Sequence, residues 1–162
     1  FAGSRSKVKQ DRAAYPKSGD WLTIVDSALL SSGLQGQWVR EALPAESSRS
    51  WVRIDGRRPM LLSSEPLDMN KSLVKAFVSS TGEVISRLKV EPTLDNLSPI
   101  LVSANYAYLS RLTLRCKMNP ATQPKLQAQL DSGLKDHPRG KQGFLADVET
   151  KEGNAWFICR EP

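Results

Sequence analysis

Apolar positions along the chain fall into blocks, some at helical spacing and some at strand spacing. From Asp20, a residue suited to capping, Trp21, Leu22, Val25, Ala28 and Leu29 recur three and four residues apart, and Gly33 supplies a stop, so the spacing predicts a first helix. Beyond Gln35 the pattern shortens to extended runs at Trp38 to Leu43, Trp51 to Ile54 and Met60 to Leu62. Asp55-Gly56 between the last two signals a hairpin. A second helix is expected after Asp68, with Met69, Leu73, Val74, Phe77 and Val78 on its apolar face and Gly82 at its end. From Glu83 to Glu91, Val84, Leu88 and Val90 face one way and Arg87, Lys89 and Glu91 the other, which describes a half-buried strand.

After a loop at 92–99, Val102, Ala104, Tyr106, Tyr108, Leu112, Leu114, Cys116 and Met118 share one parity, interrupted at Ser110, while Thr113, Arg115 and Lys117 share the other. That pattern predicts a long strand bent near Ser110, with both tyrosines on the core side. Ser98-Pro99 opens a second reading over 99–110, a helix with Leu101, Ala104, Tyr108 and Leu112 on one face. A third helix is expected to begin between Asn119 and Pro124, to carry Leu126, Leu130 and Leu134, and to stop before Pro138. A last hairpin joins Phe144–Val148 to Ala155–Cys159 through 151–154, its second strand apolar on both faces.

The string is αββ three times, near 20–64, 68–118 and 120–160. It predicts an α+β fold in which αββ units form a mainly antiparallel sheet with helices on one face. Two consecutive units make a ferredoxin-like arrangement in permuted order, and the third, C-terminal unit extends it. Residues 19–162 would be this single domain, and residues 1–18, polar, basic and closed by Pro16, a linker or juxtamembrane leader.

Composition sharpens the picture. With 40% hydrophobic and 25% charged residues in 162, the chain has the makeup of one globular domain able to bury its own core. The net charge of +6 hints at nucleic acid or a membrane surface. Arg5, Lys7, Lys9, Arg12 and Lys17 stand against Asp11 alone, however, so most of that charge belongs to the leader. The chain begins at Phe1 without Met, and an upstream membrane anchor would account for its apolar first residues. A basic segment directly after a span would itself favour the cytoplasmic side.

Candidate chemistry is sparse. One histidine, His137, and two cysteines are too few for a zinc tetrad, so no metal or cofactor is expected. Cys116 and Cys159 sit on apolar parities of expected strands, where a disulfide in an oxidising compartment and two buried free thiols fit equally well. Phosphate-loop, dinucleotide and nucleophile-elbow motifs do not occur. A Cys-His pair, or Ser79 or Ser103 with a distant lysine, leaves a small Cys- or Ser-dependent hydrolase as one alternative. Arg87, Lys89, Arg111, Arg115 and Lys117 place positive charge on polar strand faces, and Arg53, Arg57 and Arg58 add a group at the first hairpin. They leave a nucleic-acid-binding or virion-associated protein as the other alternative, which would also need exposed aromatic side chains among the charges.

The run Asp20 to Leu34, DWLTIVDSALLSSGL, resembles the helix that opens the periplasmic domain of the bitopic assembly-platform proteins of type II secretion and type IV pilus machines. Lys71 to Gly82, the strand from Glu83, and Leu112-Thr113-Leu114 are similar to the second αββ unit of those domains. The resemblance covers 20–118. It implies a membrane-anchored, ferredoxin-like domain on the periplasmic side of the inner membrane, without catalytic residues, that binds other proteins of an envelope secretion, pilus or conjugation apparatus. The expected role is therefore protein–protein interaction, through a helix face or a free sheet edge, with a homodimer among the outcomes. Trp38, Trp51 and Trp156 are the candidate contact residues, because exposed tryptophan is enriched at binding hot spots.

Overall fold

The computed structural model describes residues 9–137 and 139–162. Its strands are β1 (Trp21–Val25), β2 (Arg49–Arg53), β3 (Met60–Ser63), β4 (Val78–Leu88), β5 (Leu109–Arg115), β6 (Lys141–Thr150) and β7 (Gly153–Arg160). Its helices are α1 (Ala28–Ser31), α2 (Gln35–Ala42), α3 (Ser72–Phe77), α4 (Leu97–Tyr106) and α5 (Gln123–Leu134), with a 3₁₀ turn at Leu94–Asn96. All seven strands join one sheet in the order β2-β3-β1-β4-β7-β6-β5. Every neighbouring pair is antiparallel except β5–β6, which α5 connects as a parallel crossover. The fold is α+β with a mainly antiparallel sheet. Its first four strands, in the order β4-β1-β3-β2, trace a ferredoxin-like βαββαβ path that begins on a strand.

Four segments depart from the sequence reading. Residues 21–25 are the central strand β1, not the start of a helix. Thr23, Ile24 and Val25 are β-branched and suit a pleated, buried surface. The helix starts only after Asp26, whose carboxylate accepts the Ala28 N–H at 2.8 Å. Trp38 lies in α2 rather than in an extended run, because Gln35, Trp38 and Ala42, three and four residues apart, share the buried face of a helix. The helix expected after Asp68 is the short α3, and its continuation Val78-Ser79-Ser80-Thr81 is already β4, paired to β1. Over 97–106 the helical alternative is the correct one. Ile100 and Ala104 face the core, and the strand β5 begins only at Leu109.

The helices all cover one face of the sheet. On that face Leu61 and Val25 pack under Trp38, Leu29 and Val74, while Leu112, Leu114, Leu145 and Ile158 pack under α4 and α5. The opposite face carries Leu22, Ile24, Met60, Val84, Phe144, Phe157 and Cys159, all buried although no helix covers them. They are buried because the sheet curls on itself until β2 meets β6. Val52 joins the same apolar cluster as Ala146 and Val148. Arg53 reaches Asp147, donating to its carbonyl at 2.6 Å and lying 3.1 Å from Oδ1. The N–H is aimed at the carbonyl, so Oδ1 is held by charge rather than by a directed hydrogen bond.

Residues 9–18, expected as a linker, close the mouth of this curl. Asp11 N–H donates to Trp51 C=O at 2.8 Å, and Arg12 C=O accepts from Lys151 N–H at 3.3 Å. Tyr15 meets Phe157 edge-on at 5.8 Å, and Pro16 is buried. Both sheet edges are therefore occupied. At the far edge, the Gln127 side chain of α5 accepts from Leu114 N–H at 3.0 Å and donates to Leu112 C=O at 2.8 Å, as a neighbouring strand would.

Candidate functional site

The reactive side chains are placed for burial. Cys159 lies on the curled inner face and Cys116 on the helix face, so the sheet itself separates them, and both are free thiols. Of the two readings of the cysteines, the structure takes free thiols. Burial pushes Cys116 up from 9.0 to about 12, reinforced by the nearby Asp147 charge and offset by Arg58 and Arg53. Burial alone raises Cys159 further. At about pH 8 an alkylating reagent is expected to leave both untouched in the folded chain and to modify both in denaturant, since the thiolate is the nucleophile. Fast native labelling would contradict this burial. The folded protein holds the Cys116 proton more tightly than the unfolded chain does. The resulting contribution to stability is intact below the ordinary thiol value of 9.0 and is lost as the pH rises towards about 12. Among the described residues no three His, Cys, Asp or Glu side chains converge as a metal site.

The tryptophans are packing residues. Trp38 is wholly buried, with its indole N–H donated to Val74 C=O at 3.1 Å and Trp51 tilted against it at 6.2 Å. Trp156 is half-buried against the α4–α5 cluster. The exposed apolar surface lies elsewhere: Tyr106 is 81% exposed, Val102 66% and Tyr108 56%. The expectation that these tyrosines face the core is overturned by α4. The helix turns Ile100 and Ala104 inward and leaves Val102 and Tyr106, four residues apart, on its outer side.

Tyr108 is the one described non-glycine residue with a left-handed backbone, φ 56°. It stands just after the end of α4, where glycine is usual, at roughly 1–2 kcal/mol of backbone strain for a side chain with a Cβ. Its surroundings hold it there. A Cβ on Gly140 would collide with the Tyr108 carbonyl, so glycine at 140 lets that chain lie directly on Tyr108. Asn105 donates its amide to Leu101 C=O at 2.9 Å, which leaves its oxygen to accept from His137 Nε2 at 2.6 Å. His137 in turn packs tilted against the Tyr108 ring, with centroids 5.2 Å apart.

Searches against protein-family models, curated proteins and solved structures find no match.

The basic residues divide into two groups. Arg87 and Lys89 line an open groove of about 410 Å³ between the end of β4 and α4, together with Leu88, Val90, Pro99 and Val102. Arg87 also bonds the Tyr15 hydroxyl and lies over its ring, 5.5 Å from the centroid. Arg111, Arg115 and Lys117 follow the edge strand β5. Arg111 and Lys117 are exposed, whereas Arg115 is half-buried with its Nε unpartnered. The sequence pattern had put all five on strand faces. It missed Tyr106 and Tyr108, for which Ser98-Pro99, as a helix start, was the available signal. No described helix is long and apolar enough to cross a membrane.

Proposed function

We propose that this domain is noncatalytic and works by holding a protein partner in the groove beside α4. One observation carries the reading. Val102 stands 66% exposed on the outer face of α4, at the lip of a groove whose only charged lining residues are Arg87 and Lys89. An apolar wall with a positive rim suits a protein segment that presents apolar side chains and carboxylates together. Strand addition is disfavoured as the mode of contact, because Gln127 and Asp11 already occupy the two sheet edges.

The envelope setting belongs to the same proposal; β1 withdraws the opening-helix part of the resemblance over 20–118, and the support that remains is the ferredoxin-like path of the first four strands. The partner would be a component of a secretion, pilus or conjugation apparatus on the periplasmic side of the inner membrane.

A display library of amphipathic peptides tests the groove. Enrichment of acidic, apolar sequences is expected, with binding weakened at least about tenfold by Val102→Asp, the loss of one buried contact at an interface centre. Binding that survives both Val102→Asp and a double charge reversal at Arg87 and Lys89 would sink the assignment. Self-association detected by sedimentation and abolished by Val102→Asp would make a second copy the occupant and overturn the acidic-segment reading. Recovery of the full-length product from the cytoplasm of its own cells would overturn the envelope setting.

A further inference from the structure

We infer that the edge of the sheet along β5, with the tyrosine pair at its start, is a binding track for single-stranded nucleic acid. The inference does not rest on the groove beside α4. Four observations bring it together.

First, the register of the parallel pair sets Lys141 beside Leu109 and Arg111 beside Gln142, so the cations of β6's start and β5 meet at one end of the sheet. Arg139, Lys141 and Arg111 are all exposed there. Second, β5 carries the positive charge onward. Its seven residues, six steps of about 3.3 Å, span roughly 20 Å from Leu109 to Arg115. Lys117, exposed two residues beyond the end of β5, continues the row. Groups far apart in sequence, 111–117 and 139–141, thus share one margin of the molecule.

Third, this margin begins on two exposed aromatic rings, Tyr106 and Tyr108. A charged groove leading from aromatic faces is the usual means of holding unpaired bases and their phosphates together: the rings stack the bases and the cations follow the backbone. Fourth, the backbone at Tyr108 is kept in a conformation that glycine would adopt more easily: Gly140 lies against its carbonyl, and His137, bonded to Asn105, packs against the ring without burying it. Packing gives no reason for a tyrosine there, and a ligand-stacking role does.

The test is fluorescence anisotropy of a labelled oligothymidylate with the purified chain. With Arg111, Lys117, Arg139 and Lys141 each neutralising one phosphate, the affinity is expected to fall about fiftyfold between about 50 mM and about 200 mM salt. Tyr106→Ala and Tyr108→Gly are each expected to weaken binding at least about fivefold, the loss of one stacked base. Tyr108→Gly supplies the control for folding. It removes the left-handed strain, so its melting temperature should equal or exceed that of the parent while its affinity drops. Absence of binding at the lower salt overturns the inference. Binding indifferent to both tyrosine variants and equally competed by heparin also overturns it, by reducing the margin to a nonspecific polyanion surface.

Discussion

Trp38→Ala is expected to lower the unfolding free energy by about 3–5 kcal/mol, the range for removing a fully buried large aromatic side chain. Trp38 is buried completely between α2, α3 and the Leu61 face of β3. Its loss leaves a cavity ringed by Val25, Leu29, Leu61 and Val74, and it also removes the indole N–H that serves Val74 C=O. In a domain of this size, that energy lowers the melting temperature by roughly 6–20 °C. Trp38→Phe separates the two contributions, since the ring retains much of the volume and only the hydrogen bond goes. Its penalty should be smaller, about 1–3 kcal/mol, from the unsatisfied carbonyl and the residual void. Urea unfolding followed by circular dichroism gives both values. A change under about 1 kcal/mol for the alanine variant would show that α2 does not anchor the first half of the sheet.

Asp147→Ala should be comparably damaging, at about 3–5 kcal/mol, because it leaves a buried guanidinium without its counter-charge. Arg53 and Asp147 are only 23% and 10% exposed at their side chains, and they join two strands with four others between them in the sheet order. Asp147 Oδ2 also accepts from Lys117 N–H at 3.4 Å, so its removal loosens the end of β5 as well. The informative comparison is the double replacement Arg53→Met with Asp147→Leu. Removing both charges and filling the space with apolar atoms should recover most of the loss, since a buried ion pair is seldom better than a well-packed apolar pair. If the double variant is as unstable as Asp147→Ala, the curl depends on the Arg53 bond to the Asp147 carbonyl rather than on charge. The single and double variants together therefore locate what closes the inner face.

What was legible in the chain was whatever local periodicity and turn chemistry decide unaided. Leu126, Leu130 and Leu134 fall about one helical turn apart behind Pro124, a residue suited to a helix's first turn, and α5 forms where they lie. Asp55-Gly56 and Glu152-Gly153 mark the two hairpins, with Gly56 at φ 75° and Gly153 at φ 105°. The apolar residues on both sides of 155–159 correctly announce a strand covered on two faces. By contrast, 21–29 satisfies helical spacing and is also rich in β-branched residues, so local information points both ways. The outcome follows from β3 and β4, which flank residues 21–25 as partners. The segment 102–108 satisfies both periods in the same manner, and there the helix wins because α4 can pack Ile100 and Ala104 against α5 and the sheet.

The candidate sites were less legible, for a related reason. Exposure is a property of the assembled surface, and a parity argument assigns it only once the element type is right. Reading 102–108 as strand sent both tyrosines inward. Reading 21–33 as helix left Trp38 to an extended run, where it looked available for contact.

By itself, the sequence determines that this is an α+β chain, where its two hairpins turn, where its longest helix lies, and that its lone histidine and two cysteines are too few for a zinc tetrad. The tertiary structure alone decides that the sheet curls until β2 reaches β6, that residues 9–18 seal it, and that basic groups from two distant stretches, 111–117 and 139–141, share one margin beside Tyr106 and Tyr108. The reason is that spacing along a chain records which side chains share a face of one element. Which elements then face each other, and which rings are left to the solvent, is set by burial summed over the whole sheet.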